Sequence, residues 1–466
     1  MRESSRVRSA LTVAAVSLAF AAAASSATAA TKFDWMRGFD AAATPDNLDR
    51  VGVLKVGPKK AKNILVLNPG TSASAAYFRP LAGFVASEAK GWQVWAVERR
   101  ENQLEDQSVV DEAKQGTATT QRLFDYYLGY LTDPSVTDHF ESVPDSAVPF
   151  ARDWGMRVEI EDLRRVVKEA ERKAGKRGGE VVLGGHSLGG SITTAYATWD
   201  FNGKPGAKGL AGLVYIDGGS GPDPISPEEA SQDLAELQAE SPWLSFGGIT
   251  APFAGLFNVV GSTTTHLEPD AVSKLQTWPL LPDNLKPPVL ATNEGAYGFA
   301  LDTGTSPPAL AAAQAHLGHL AASGDPRGWD EAGELTPVQR YADMFSGTGL
   351  QGLDGTAWYH PLRLTIDSGA VAAGNANPAQ RILDVRATHG DDLSRRLRIY
   401  AFGAALGGER VLKGAKILAR QSQIPRRRLT LVNREETYAH NDPNSAFPKN
   451  AFVKRLTRFL ARVERG

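Results

Sequence analysis

Apolar, β-branched stretches recur along the chain, and segments with helical periodicity lie between them. The apolar stretches span residues 50–57, 63–70, 92–100, 180–187, 211–219, 397–406 and 428–433. Near-continuous apolar runs of this length are typical of parallel strands that are buried on both faces. Segments 157–176 and 448–465 each place apolar residues on one helical stripe and charged residues opposite it. The alternation predicts an α/β fold, a mostly parallel sheet flanked by helices.

Two long segments interrupt the alternation. Residues 101–156 separate a predicted strand from the next helix, and residues 220–392 separate two predicted strands. Segments of this length rarely form structureless loops in a compact domain. Helical patterns at 227–240 and 308–323 therefore predict that 220–392 forms a large, mainly helical cap on the sheet. The apolar stretch 242–260 is expected either to line a pocket there or to pack against the core.

The division of the chain follows from these segments. We expect a core in two parts, residues 31–219 with the insertion 101–156 and residues 393–466, with the cap 220–392 between them.

The N-terminus has the pattern of a secretory signal peptide. Residues 1–30 contain Arg2, Arg6 and Arg8, then an alanine-rich apolar run, then the small residues Ala27-Thr28-Ala29. The alternative is a membrane anchor, but the run is short against the roughly 20 apolar residues that span a bilayer. The pattern predicts cleavage near Ala29 or Ala30, no stable membrane anchor, and an extracellular, periplasmic or cell-envelope location.

Composition excludes several functional classes. The 466 residues include no cysteine, so disulfides, thiolate catalysis and cysteine metal sites are absent. Lys and Arg number 51 and Asp and Glu 52. This balance lacks the basic excess that nucleic-acid binding requires.

A sharp corner at residues 185–189 carries the strongest chemical signal. Gly185-His186-Ser187-Leu188-Gly189 follows an apolar strand pattern and precedes an apolar helix pattern. This corner resembles the nucleophile elbow of the α/β-hydrolase fold, and the likeness extends in order over most of residues 50–220 and 393–466. The resemblance implies that Ser187 is a nucleophile and that the Leu188 N–H stabilises an oxyanion. A tight turn without chemistry is the alternative.

A second oxyanion donor is expected in the loop after an early strand. That loop reads Asn68-Pro69-Gly70-Thr71, whereas many family members have His-Gly there. It resembles lipases that use a Pro-Gly-Thr turn, and this resemblance assigns the donor role to Thr71. A plain glycine turn is the alternative.

The catalytic base is expected after the last strand. His440 lies in a polar stretch there, and the family order serine, acid, histidine gives it the last place. His186 lies inside the corner and is expected to point away from the serine. His316 and His319 are a candidate metal pair without a carboxylate in register, so no metal site is expected. The remaining histidines are expected at the surface or in the cap: His139, His266, His360 and His389.

Three carboxylates compete for the role of triad acid. Asp217 ends the strand that follows the serine strand, an arrangement that resembles some lipases. Glu409 lies near the usual family position after the next strand, and Asp442 is a third candidate. We expect Asp217 to be the acid, with Glu409 as the alternative.

Together, the corner, the histidine and the carboxylate imply a secreted serine hydrolase of the esterase or lipase type. It would cleave a small-molecule or lipid ester through an acyl-enzyme intermediate, with no metal or organic cofactor. A peptidase or an acyltransferase of the same fold would use the same residues. A non-catalytic ligand-binding protein on a hydrolase scaffold is the alternative from another class.

Overall fold

A sheet of eight strands runs through the centre of the molecule, and a separate hairpin lies in the second long segment. The computed structural model describes residues 30–246 and 248–466. Within them the strands are β1 (Thr31–Arg37), β2 (Arg50–Val56), β3 (Asn63–Asn68), β4 (Trp92–Glu98), β5 (Val181–His186), β6 (Gly212–Ile216), β7 (His319–Gly324), β8 (Arg327–Asp330), β9 (Arg398–Gly403) and β10 (Leu429–Asn433).

The sheet order confirms the predicted fold class. The strands follow one another as β1-β2-β4-β3-β5-β6-β9-β10, and every pair from β4 to β10 is parallel. β2 pairs antiparallel with both β1 and β4. Each predicted strand segment contains a strand of this sheet, whereas β1 was not predicted. Since parallel strands end at the same edge, the residues that follow β3, β5, β6 and β10 meet there.

Helices cover both faces of the sheet. Within the described residues the α-helices are α1 (Arg79–Glu88), α2 (Ser108–Lys114), α3 (Thr120–Tyr127), α4 (Met156–Gly175), α5 (Leu188–Thr198), α6 (Pro227–Ala239), α7 (Phe253–Leu267), α8 (Lys274–Thr277), α9 (Asn293–Leu301), α10 (Val338–Ser346), α11 (Leu362–Ser368), α12 (Pro378–Leu383), α13 (Gly408–Gln421), α14 (Asp442–Ser445) and α15 (Ala451–Val463).

Two apolar layers result from this arrangement. One face of the sheet packs on α4, α5 and α13, and the other on α1 and α15. The predicted helical stripes explain the packing, because Leu163 and Val166 of α4 and Leu456 and Phe459 of α15 are all buried.

The two long segments share an apolar cluster of their own. Val110 and Tyr127, from the first segment, lie in one cluster with Leu256, Val260 and Trp358 from the second. The stretch 242–260 therefore contributes buried packing. The domain boundaries expected at 219/220 and 392/393 stay a prediction.

The predicted helix at 308–323 is wrong. A 3₁₀ helix at Pro308–Ala313 is followed by strand β7, which pairs antiparallel with β8. Gly318 and Gly324 bound this strand with φ values of 130° and 120°. These conformations end a helix, and they outweigh the helix propensity of the alanines.

The predicted signal peptide lies outside the described residues, apart from its last residue, Ala30. Its cleavage and the secreted location stay predictions. In the part of the chain that the structure describes, no helix combines the length and apolarity needed to cross a bilayer.

Candidate active site

Ser187 occupies a strained corner between β5 and α5. β5 ends at His186, α5 begins at Leu188, and Ser187 has φ 55° and ψ −125°. A non-glycine residue with positive φ costs about 1–3 kcal/mol, and such residues cluster at functional sites. The Ser187 N–H donates to the carbonyl of Ile216, 3.0 Å away, which ties the corner to β6. The serine is partly exposed at the carboxyl edge of the sheet.

The flanking glycines allow the helix to approach the sheet closely. A Cβ on Gly185 would collide with the carbonyl of Gly189, and a Cβ on Gly189 would collide with the carbonyl of Asn68. A Cβ on Gly190 would meet the backbone of Gly218. The backbone itself is the obstacle in each case, so only glycine fits.

Gly185→Ala is expected to destabilise the protein by about 3 kcal/mol or more. Overpacking usually costs about 1–3 kcal/mol, and here the backbone that the new methyl group meets cannot move away. Gly83→Ala in α1 is the matched control, since a Cβ there meets nothing within 4 Å. It should stabilise the protein by about 0.5–1 kcal/mol through helix propensity. Chemical denaturation measures both changes, and equal stability of the two variants would contradict the packing described.

Asp217 and His440 form a buried pair beside this corner. Asp217 directly follows β6, and its Oδ2 lies 2.7 Å from His440 Nδ1. The side chains are 0% and 1% exposed, respectively. Burial acts to raise the pKa of Asp217, but the hydrogen bond and charge of His440 and the Ala404 N–H hold that pKa below its ordinary value. The carboxylate therefore stays ionised and fixes the ring with Nδ1 as donor.

Backbone N–H groups hold Asp217 in place. Its carboxylate accepts from Ala404 at 2.6 Å, from Gly407 at 2.9 Å and from two further N–H groups. Asp217 also has positive φ, 43°, which strains the corner after β6 as Ser187 strains the one after β5.

The other two candidate acids lie elsewhere. Glu409, in the first turn of α13, is 57% exposed at its side chain and pairs with Lys416 at 2.9 Å. Asp442 is buried and receives hydrogen bonds from Thr336 and from the ring of His316. Of the three predicted carboxylates, only Asp217 contacts His440.

His440 lies next to the residue that precedes the serine. Its ring centroid is 4.3 Å from that of His186, and His186 Nε2 donates to the His440 carbonyl at 2.9 Å. Burial and the neighbouring His440 lower the pKa of His186 to about 3, so His186 is neutral. The Ser187 hydroxyl forms no hydrogen bond with any described residue. The structure thus brings His440 and Ser187 to one edge of the sheet without a hydrogen bond between them.

Two N–H groups of the Pro69–Ala73 turn, those of Gly70 and Thr71, have no acceptor among the described residues. The Ser72 N–H donates to His360 Nδ1 at 3.4 Å, and the Ala73 N–H donates to the Gly70 carbonyl at 3.4 Å. A Cβ on Gly70 would lie 2.8 Å from Ser187 Cβ, so the turn lies against the serine.

Leu188 supplies the other predicted donor. It is the first residue of α5, where an N–H has no partner within the helix. The positive end of the helix dipole lies at this point, which favours a negative charge.

Comparison with known proteins relates the fold to solved structures. No family model and no curated protein matches the sequence. A crystal structure of a protein from Sulfolobus solfataricus, provisionally described as a lipase, superposes with a TM-score of 0.50 at 15% identity and covers 93% of this chain and 94% of its own. This chain has the α/β-hydrolase fold. A soluble variant of monoglyceride lipase from Saccharomyces cerevisiae (TM-score 0.42, 11% identity, 94% and 96% covered) and a carboxyl esterase from Bacillus coagulans (0.41, 13%, 94% and 99%) are also similar.

Two histidines of this α/β-hydrolase fold have contacts that sequence reasoning missed. His360, expected only at the surface or in the cap, is buried against the Pro69–Ala73 turn, and burial lowers its pKa well below the ordinary value. Neutral His360 can therefore accept the Ser72 N–H. His316 pairs with Asp442 at 2.6 Å, two residues beyond His440.

The candidate metal pair, His316 and His319, lies at the beginning of β7. His319 is the first residue of β7, and His316 precedes it outside any helix or strand. Across residues 30–246 and 248–466, no group of three or more His, Asp or Glu side chains is arranged to bind a metal ion.

Proposed function

We propose that this protein is a serine hydrolase that cleaves an ester-like bond with Ser187 as nucleophile, His440 as base and Asp217 as the acid that orients it. One observation carries the proposal: the buried 2.7 Å bond between Asp217 and His440 lies at the same sheet edge as the strained Ser187. The chain order serine, acid, histidine is that of the α/β-hydrolase fold.

In the proposed first step, Ser187 Oγ adds to the substrate carbonyl while His440 Nε2 takes its proton. His440 Nε2 is free for this because Nδ1 donates to Asp217. The N–H groups of Thr71 and Leu188 hold the oxyanion that forms. The bond to the leaving alcohol then breaks, and His440 returns the proton to the alcohol oxygen. Water then adds to the acyl-serine while His440 takes one of its protons. The bond between Ser187 Oγ and the acyl carbon breaks, His440 returns the proton to Oγ, and the acid is released.

A hydrophobic small-molecule or lipid ester is the proposed substrate. Leu406 supports this choice, because it is 50% exposed while its N–H lies 3.2 Å from Asp217 Oδ2. An exposed leucine beside the buried pair offers an apolar surface to a substrate substituent.

A fluorophosphonate probe tests the nucleophile directly. We expect the purified protein to be labelled on Ser187, as located by peptide mass spectrometry, and heat-denatured protein to remain unlabelled, because reactivity requires the folded site. Labelling elsewhere, or none, contradicts the proposal.

Turnover of nitrophenyl esters of increasing chain length, compared with aminoacyl amides, defines the reaction. Faster ester turnover supports the ester hydrolase, and faster amide turnover indicates the peptidase. Product transfer to added alcohols indicates the acyltransferase. No turnover at all, together with a ligand found by thermal shift, indicates the binding protein.

A further inference from the structure

A buried guanidinium lies against the turn that carries Thr71. Arg99 follows β4 and is 2% exposed. It donates to the carbonyl oxygens of Pro69 at 3.1 Å, Gly70 at 3.0 Å and Ala73 at 3.0 Å. Its Nε donates to Glu101 at 2.7 Å, which neutralises the buried charge. One side chain thus binds three carbonyls of a single turn.

The bond to Gly70 sets the direction of a neighbouring N–H. The Gly70 carbonyl and the Thr71 N–H belong to one peptide unit, and this unit is trans. In a planar trans peptide the C=O and the N–H point in opposite directions. Because the carbonyl points to Arg99, the Thr71 N–H points away from it.

Ser187 borders the turn as well. A Cβ on Gly70 would lie 2.8 Å from Ser187 Cβ and 3.4 Å from its Oγ. The Ser72 and Ala73 N–H groups already have acceptors. The Thr71 N–H, like that of Gly70, has none among the described residues, so it can donate to an oxyanion. A cation hydrogen-bonded to the carbonyl also polarises the peptide and strengthens its N–H as a donor.

We propose that Arg99 is a positioning residue that aims and polarises the Thr71 N–H toward the transition-state oxyanion. The inference rests on the proposed function, since it concerns the oxyanion donor of that reaction. Arg99 touches neither the substrate nor the reacting atoms; it acts through the peptide between Gly70 and Thr71.

Arg99→Lys, compared with Arg100→Lys, tests this inference. Lysine keeps the charge but cannot bind three carbonyls with the fork of a guanidinium. Arg100 is the matched control: it is the next residue, equally buried and paired with Asp49 and Asp162 at 2.6 and 2.8 Å, and none of its bonds reaches the turn. Both variants lose a buried fork, so both should lose stability.

The kinetics should separate the two variants. We expect Arg99→Lys to lower kcat by about 10²-fold, close to the loss of one oxyanion donor, with KM changed less than about threefold. Arg100→Lys should keep kcat within about threefold when both are assayed well below their melting temperatures. Equal kcat losses in the two variants, or an unchanged kcat in Arg99→Lys, overturn the inference.

A transition-state analogue gives a readout that a structural role would not change. When Ser187 adds to a trifluoromethyl ketone, the adduct carries an oxyanion. The product acid binds without forming one. We expect Arg99→Lys to weaken ketone binding by the same factor as kcat/KM and to leave product binding within about threefold. Loss of both affinities alike overturns the inference.

Two further measurements distinguish a folding defect, and a failure of the proposed function, from a failure of this inference. If Arg99→Lys does not fold, Glu101→Ala removes both the Nε acceptor and the charge that hold the guanidinium. It should still lower kcat with KM nearly unchanged, and an unchanged kcat overturns the inference. Failure of the proposed function would look different. The wild-type protein would then not be labelled by the fluorophosphonate, and the Ser187→Ala variant would keep its activity.

Discussion

Ser187→Ala is expected to lower kcat for the best nitrophenyl ester by about 10⁵–10⁶-fold, the loss seen when the nucleophile of a serine triad is removed. The methyl group cannot add to a carbonyl, so no acyl-enzyme forms. What remains is the rate that substrate binding and the Thr71 and Leu188 N–H groups support, about 10³-fold above water. The measurement is steady-state hydrolysis, with a fluorophosphonate label to exclude contaminating activity.

Removing the strain at residue 187 should raise the free energy of unfolding even though activity is lost. Ser187 has φ 55°, and replacing it with Ala retains that strain, whereas Ser187→Gly should relieve it and stabilise the protein by about 1 kcal/mol or more. A gain in stability that accompanies loss of activity would indicate that the corner is strained for function. An Ala variant with wild-type kcat would show that another residue is the nucleophile.

Ser191→Ala is the matched control. Ser191 lies in the first turn of the same helix, α5, and its exposure is intermediate like that of Ser187. Its replacement removes an equal hydroxyl without touching the corner, so activity should remain within about twofold and helix propensity should rise slightly. A loss in Ser191→Ala as large as in Ser187→Ala would mean that the helix, and not one hydroxyl, supports the activity.

The parts of the site that sequence reasoning predicted are those set by chain order. Strand ends, glycines at a corner and a histidine after the last strand can be read along the chain, because parallel strands bring their carboxyl ends to one edge. Asp217 was the expected acid for this reason, and it is the predicted carboxylate that contacts His440.

The parts that were missed depend on contacts between distant segments. Arg99 binds a turn about thirty residues earlier, and His360 reaches the same turn from the cap segment. An arginine after a strand or a histidine in a long insertion has no local pattern that indicates its partner. Arg99 and Arg100 are adjacent in the sequence, and this pair indicates buried contacts only once both residues are known to be buried. Each buried cation then requires its own set of acceptors.

The helix expected at 308–323 failed for a related reason. Alanine favours a helix only where the backbone can continue it, and Gly318 adopts φ 130° where β7 begins. Pairing with β8 then supplies the hydrogen bonds that a helix would have made. Propensity is a weak preference, and the hairpin contacts outweigh it.

Asp217→Asn is expected to lower kcat by about 10⁴-fold with little change in KM, as for the equivalent change in a serine triad. The Ala404 and Gly407 N–H groups need an acceptor, so the amide oxygen should face them and the NH₂ group should face His440. His440 Nδ1 must then accept, which places its proton on Nε2. In this tautomer the ring cannot take the proton of Ser187. The loss is therefore in the chemical step, and pre-steady-state acylation measures it.

Glu409→Gln is the matched control, because both substitutions remove one negative charge near β9. Glu409 pairs with Lys416 at the surface and has no contact with His440, so its loss should leave kcat within about twofold, as exposed ion pairs contribute little. If Glu409→Gln instead abolishes activity while Asp217→Asn spares it, the acid has been misassigned. The buried pair that orients His440 would then be structural, and the base would need another partner. The Asp217 pair is nevertheless the one whose geometry selects the His440 tautomer that the proposed mechanism requires, since four N–H groups fix the carboxylate.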